Sequence, residues 1–105
     1  MSLASVSIYQ ALSNNTALTV LWLVDNLIGV GNGEVLKYIL EKNKTLRWIN
    51  MQGNSLEDED AKPIAEGLRA NTTLETLTLS SNSMTDTGKR MLRSERDGGR
   101  LKRRF

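Results

Sequence analysis

Cysteine and histidine are both absent from the 105 residues. The first absence excludes disulfide scaffolds and thiolate metal sites, and the second removes imidazole ligands and the base of Ser-His and Cys-His nucleophile pairs. Any catalysis would have to run on carboxylates, lysines and hydroxyls. Long apolar runs are missing too. The longest, Val20-Leu21-Trp22-Leu23-Val24, is five residues, against the roughly 18 needed to cross a bilayer, and no signal-peptide pattern is read at the start. No membrane partner is expected. Aromatic residues make up 5% and proline occurs once, at Pro63. What is present is an ordinary globular composition, 39% apolar and 25% charged, in a length that holds one domain.

The net charge of +2 is unevenly spread. Residues 1–88 carry six basic and ten acidic side chains, a balance of −4, while residues 89–105 carry eight basic and two acidic, a balance of +6. A nucleic-acid groove needs a basic face on the folded body, so this distribution disfavours nucleic acid as a partner.

Internal repetition is the strongest signal. Blocks reading LTVLWLVDNLI from Leu18, LRWINMQGNSL from Leu46 and LETLTLSSNSM from Leu74 start 28 residues apart with no insertion. Leu21, Ile49 and Leu77 correspond, as do Leu23, Met51 and Leu79, then Asn26, Asn54 and Asn82. Leu36, Ile64 and Leu92 match downstream, and Ile8, Leu12 and Asn15 extend the pattern into a partial repeat over residues 1–17. A fixed period of this length signals a stack of identical supersecondary units.

Leu-x-Leu alternation predicts a short strand in each block, and apolar residues at helical spacing (Leu36, Ile39, Leu40; Ile64, Ala65, Leu68) predict a helix after each turn. Asp60 is expected as an N-cap with Pro63 in the first turn, and Asn43 and Asn71 suit the left-handed position that closes a helix. Repeated in register, such units stack parallel strands on one side and helices on the other. The Asn26, Asn54 and Asn82 side chains then form a column that satisfies turn backbone groups no ladder bond reaches.

The 28-residue period, the LxxLxLxxN core, Asn82-Ser-Met-Thr-Asp-Thr-Gly88 and Asn71-Thr-Thr-Leu74 together resemble leucine-rich-repeat proteins of the ribonuclease-inhibitor-like subclass. That family includes ribonuclease inhibitor, innate-immune nucleotide-binding receptors, Ran GTPase-activating protein and tropomodulin. The resemblance implies an α/β leucine-rich-repeat solenoid, a right-handed β-α superhelix with about three parallel strands and helices on the convex side. By family analogy alone it also raises GTPase activation or cytoskeletal regulation. The expected organisation is a repeat domain over residues 1–97, with repeats starting at 18, 46 and 74, and a basic C-terminal tail over 98–105 that ends in solvent. Arg96 in place of the leucine at positions 40 and 68, followed by Gly98-Gly99, suggests a polar terminal cap on a longer array.

With the leucines pointing inwards, the residues between them face the concave side: Val20, Trp22 and Val24, then Trp48, Asn50 and Gln52, then Thr76, Thr78 and Ser80. Trp22 should lie diagonal to Trp48, and tryptophan is enriched at binding hot spots. Partner binding is therefore expected at Val20, Trp22, Val24, Trp48, Asn50, Gln52, Thr76 and Thr78, with another protein as partner. The first strand, apolar on both faces, would have a free edge, and a homodimer formed across it is the economical alternative.

Other motifs read as parts of the repeat. Gly29-Val-Gly31-Asn-Gly33 has the layout of a phosphate loop, but the equivalent segments are Glu57-Asp-Glu-Asp60 and Thr85-Asp-Thr-Gly88, with no lysine after the glycines. Glu57–Asp60 lacks calcium-loop spacing and sits where carboxylates favour a helix N-terminus. Asn14-Asn-Thr, Asn43-Lys-Thr and Asn71-Thr-Thr match the glycosylation pattern through the repeat consensus. The reading is a binding protein and not an enzyme, with no catalytic, cofactor or metal residues, in the cytoplasm or, through the basic tail, the nucleus.

Overall fold

The computed structural model describes residues 11–12, 15–22, 33–93 and 101–105. Within them the chain forms strand β1 (Val20–Trp22), helix α1 (Gly33–Lys42), β2 (Trp48–Asn50), α2 (Asp58–Ala70), β3 (Thr76–Thr78), α3 (Asp86–Arg93) and β4 (Lys102–Arg104). The four strands make one sheet in the order β1-β2-β3-β4, every pair parallel. Parallel neighbours cannot be joined by a hairpin, so each connection must travel along the far side of the core, where the helices lie. Helix α2 packs between α1 and α3.

Repeat spacing becomes columns of buried side chains. Ile49 and Leu77 are register partners with no exposed surface, and Leu36, Ile64 and Leu92 line the helix side of the same core. Gly67 lets α1 and α2 approach: a Cβ there would stand 2.9 Å from Lys37 Cα. The turns after β2 and β3 each use a left-handed residue. Gly53 supplies it at φ 71°, and Ser81, one period later, adopts the same region at φ 59°.

The count of about three strands is corrected to four, and the C-terminal segment does not end as a solvated tail. Lys102 pairs with Thr76 and Arg104 with Thr78, a spacing of 26 residues where the other strands keep 28. Leu101 is buried, Phe105 packs against the core, and the Arg93 guanidinium lies 5.5 Å from the Phe105 ring centre. Arg103 occupies the inward register position beside Leu77. Its Nε donates to the Leu92 carbonyl at 3.1 Å and its Nη1 to that of Leu101 at 3.3 Å. A cation on the Leu92 carbonyl at the end of α3 is favoured by the helix dipole, so an arginine stands where a leucine would otherwise fill the core.

Helix boundaries also differ from expectation. The N-cap of α2 is Glu57, and Asp60 is the third helical residue. Asp60 accepts the Glu57 N–H at 2.9 Å and, across the repeat, the Gly33 N–H at 2.9 Å. Pro63 consequently sits sixth in the helix instead of in its first turn. The carbonyl that loses its donor belongs to Glu59, an exposed residue, so the missing bond falls on the solvent side of the helix.

Asn71 closes α2 in an extended conformation, φ −88° and ψ 134°, and Asn43 is not among the residues of positive φ. Their side chains do the closing instead. Asn71 Oδ1 accepts the N–H groups of Thr73 and Leu74, and its Nδ2 donates to the Leu40 carbonyl in the last turn of α1. Asn43 bonds Thr45, Leu46 and the Leu12 carbonyl in the same way. This second asparagine column satisfies orphan carbonyls of the preceding helix, which a left-handed backbone would not reach. Both asparagines are buried, so neither glycosylation pattern is accessible in the folded chain.

Candidate protein-binding face

Short strands fix the concave residues. In the β1–β2 register Val20 is opposite Trp48 and Trp22 opposite Asn50, so the two indoles are diagonal neighbours. Their ring centroids are 5.1 Å apart with an interplanar angle of 74°, the edge-to-face geometry aromatic pairs prefer. Trp22 is 58% exposed and Val20 47%.

Trp48 is only half exposed, and its Nε1 donates to Thr78 Oγ1 at 3.1 Å on the next strand. The indole therefore leans across the β2–β3 boundary. Thr78 and Asn50 are each 7% exposed, and the Asn50 Oδ1 is engaged by the Gln52 N–H at 3.1 Å. These two support the face more than they present it. Gln52 is exposed and Thr76 half-buried, so both remain open to a partner. Val24 lies outside the described residues.

The 28-residue period does not place Lys102 and Arg104 here. They are the outward residues of β4, beside Thr76 and Thr78, and both are exposed or nearly so. The period-2 alternation Leu101-Lys-Arg-Arg-Phe105 was the available signal, hidden by the shortened spacing and by a charge at the inward position.

Asn54 and Asn82 act as the expected turn column. Asn82 spans two repeats, accepting the Asn54 and Leu56 N–H groups and donating to the Met51 and Leu79 carbonyls. Asn54 donates to the Gln52 carbonyl. Asn26 lies outside the described residues, as do Gly29 and Gly31 of the glycine segment. Gly33 gives its N–H to the Asp60 carboxylate, the bond a phosphate would need.

Shifted ionisations lie on the helices and have local causes. Hydrogen bonding to Lys37, 2.9 Å away, holds the Glu66 carboxyl below its ordinary range, and the same bond raises the Lys37 ammonium. Hydrogen bonds from Thr85, then Gly88, lower Asp58. Glu57 is pushed up, first by its hydrogen bond with Glu59 and then by burial. Among the described residues no group of three or more acidic side chains is placed to hold a metal ion, and no helix is long and apolar enough to cross a membrane.

Comparison with known proteins agrees with the geometry. A family model described as "Leucine Rich repeat" matches residues 42–65 and 70–92. Over 71 residues, 68% of this chain, the sequence is 32% identical to the protein phosphatase 1 regulatory subunit 37 homolog of Caenorhabditis elegans, and it spans 8% of that protein. In fold, 92% of the chain superposes on 58% of the leiomodin-1 actin-binding site 2 structure, with a TM-score of 0.75 and 24% identity. The tropomodulin C-terminal domain of Caenorhabditis elegans gives a TM-score of 0.73 at 17% identity, over 94% of this chain and 61% of that one. The chain thus spans less than two thirds of each of these three relatives. Its repeats, their stacking and these likenesses identify it as a leucine-rich-repeat protein of the ribonuclease-inhibitor-like type.

Proposed function

We propose that the chain is a protein-binding module that takes its partner on the concave face of the sheet, with Trp22 and Trp48 as apolar anchors and Gln52 and Thr76 as polar contacts. The observation that carries this reading is the edge-to-face tryptophan pair, with Trp22 more than half exposed on the sheet. Large aromatic area presented without loss of freedom is what binding hot spots share. Binding without catalysis is also supported by the shifted groups, each of which is explained by an ion pair, an acidic neighbour or a helix cap on the opposite side of the core.

Actin and the catalytic subunit of protein phosphatase 1 are the probes of choice, since relatives are named for an actin-binding site and for a phosphatase regulatory role. Each is titrated against the chain with tryptophan emission as readout. Trp22→Ala should weaken a true interaction by about 2 kcal/mol or more. Equal affinity of the wild type and Trp22→Ala would remove the concave anchor. A cytoplasmic setting fits a chain with no cysteine and with Asn43 and Asn71 buried.

A second reading is self-association. Among the described residues β1 is at the end of the strand order and exposes Val20 and Trp22, with Leu18 exposed just before it, and an edge of that kind templates another strand. Light scattering after size-exclusion chromatography decides it: twice the 11.7 kDa chain mass means the patch covers itself, and a monomer over a wide concentration range rejects the dimer.

A further inference from the structure

The concave face changes chemistry from one end of the sheet to the other. Val20 and Trp22 stand on β1, Trp48 leans from β2 over Thr78 on β3, and Arg104 is the register partner of Thr78 on β4. The apolar surface therefore runs directly up to a cation, with Lys102 beside it on the same strand face. Neither Lys102 nor Arg104 is ion-paired among the described residues. Four acidic side chains of the body are committed elsewhere: Glu66 faces Lys37, Glu75 faces Arg47, and Asp58 and Asp60 hold backbone N–H groups at the starts of helices. No outward position of β1 to β4 carries a negative charge.

From this placement, and resting on the concave-face reading above, we infer the chemistry of the partner. The face takes an extended protein segment that crosses the strands, laying an apolar or aromatic side chain on Trp22 and Trp48 and one or two carboxylates on Arg104 and Lys102. Two to three strand spacings separate the anchor from the cations, roughly 10–14 Å, which an extended chain covers in about three or four residues. The apolar side chain gains its affinity from buried area, while the guanidinium of Arg104 supplies a planar fork suited to a carboxylate. Two cations next to an indole pair fit an acidic peptide better than a nucleic-acid backbone, which needs a longer basic track.

The test uses the full chain and four synthetic twelve-residue peptides. Two carry Leu-Phe and, four residues away, Glu-Glu, one in each chain direction; the other two replace both glutamates by glutamine. Binding is followed by tryptophan emission at 50 mM and 500 mM NaCl. At least one glutamate peptide should bind about tenfold more tightly than its glutamine counterpart, lose that advantage at high salt, and lose it again on Lys102→Gln/Arg104→Gln. Those two side chains point to solvent, and an unchanged circular dichroism spectrum confirms that the variant is folded. If glutamate and glutamine peptides bind equally, and both lose binding on Trp22→Ala, the cationic end plays no part and the inference fails while the concave reading stands. If no peptide distinguishes wild type from Trp22→Ala, the concave reading fails with it. Tighter binding of an oligothymidine than of any glutamate peptide, sensitive to the same double substitution, would overturn the inference in favour of nucleic acid.

Discussion

The side-chain oxygen of Asn82 accepts the backbone N–H of Asn54 from 2.9 Å, one repeat earlier in the chain, and that of Leu56 from the same distance. Its amide nitrogen meanwhile donates to the carbonyls of Met51 and Leu79, both at 2.9 Å. One side chain thus adds four bonds to two turns that are already tied by the Gly53 N–H on the Ser80 carbonyl and the Ser83 N–H on that of Leu56. Asn82→Ala removes these four bonds at once, and a cost of about 2 kcal/mol is expected, because truncating one member of a part-buried hydrogen-bonded set takes a partner from each of the others. Asn82→Asp keeps the acceptor and loses the donors, so it should fall between. Urea unfolding with an unchanged slope measures both.

Arg103 closes the sheet from a position where the other strands place Ile or Leu. Its bonds to the Leu92 and Leu101 carbonyls tie the last strand to the end of α3. Arg103→Ala should cost about 2 kcal/mol, the range for a charged hydrogen bond to a part-buried acceptor. Arg103→Lys should recover little, since one ammonium cannot reproduce the spread of guanidinium donors. If Arg103→Ala unfolds at the wild-type urea midpoint, the segment from Leu101 to Phe105 is not part of the cooperative unit.

Much of this architecture was legible before any coordinates. The 28-residue period places Ile49 on Leu77 and Leu36 behind Ile64, and the alternation between them puts Trp22 diagonal to Trp48. The failures come where one interaction replaces another of equal sense. β4 escaped notice because its register shortens to 26 residues and because Arg103, satisfied by carbonyls, does the work of a leucine. Asn43 and Asn71 were expected to end helices by left-handed backbone, yet their amides reach the neighbouring repeat, a contact no single repeat can show. Strand alternation alone presents Asn50 and Thr78 as open contacts. Alternation gives the face of a residue but not whether its neighbours cover it, and the Trp48 indole bonds directly to Thr78.

That same bond makes Trp48 a poor mutational probe. Trp48→Ala removes the donor to Thr78 Oγ1 along with the aromatic pair, so a stability loss of about 2 kcal/mol is expected together with any loss of binding. Trp22, exposed and on the edge strand, should cost about 1 kcal/mol or less when truncated, the value of the edge-to-face contact. Thermal unfolding of both variants separates the two; a larger loss for Trp22→Ala would mean that its indole is part of the fold.

Asp58 gives the acid side of the stability profile a distinct contributor. The Thr85 hydroxyl, then the Thr85 and Gly88 N–H groups, lower its pKa below the reference of 3.8. A carboxylate with a depressed folded-state pKa adds stability that is complete above the unfolded value and is lost as pH falls through the folded one. Glu66, lowered by Lys37, works in the same direction, whereas Glu57, raised by Glu59, opposes it. Asp58→Asn should therefore reduce the loss of stability below about pH 4. Urea midpoints between pH 2.5 and 7 give the comparison, and parallel wild-type and variant curves would show that Asp58 takes no part.

Thr45 and Thr73 occupy the same place in successive repeats with opposite hydrogen-bond outcomes. Thr45 Oγ1 donates to the Leu18 carbonyl at 2.8 Å, but Thr73 Oγ1 is buried without a partner. Burying a hydroxyl unbonded costs free energy that an isosteric methyl does not. Thr73→Val should accordingly stabilise the chain by about 1 kcal/mol, while Thr45→Val should destabilise it by about 0.5 kcal/mol through loss of its bond to the exposed Leu18 carbonyl. Because valine and threonine share shape and β-branching, backbone preference cancels between the two variants. Opposite shifts of the urea midpoint are expected, and equal shifts of the same sign would show that the Thr73 hydroxyl finds a partner in solution.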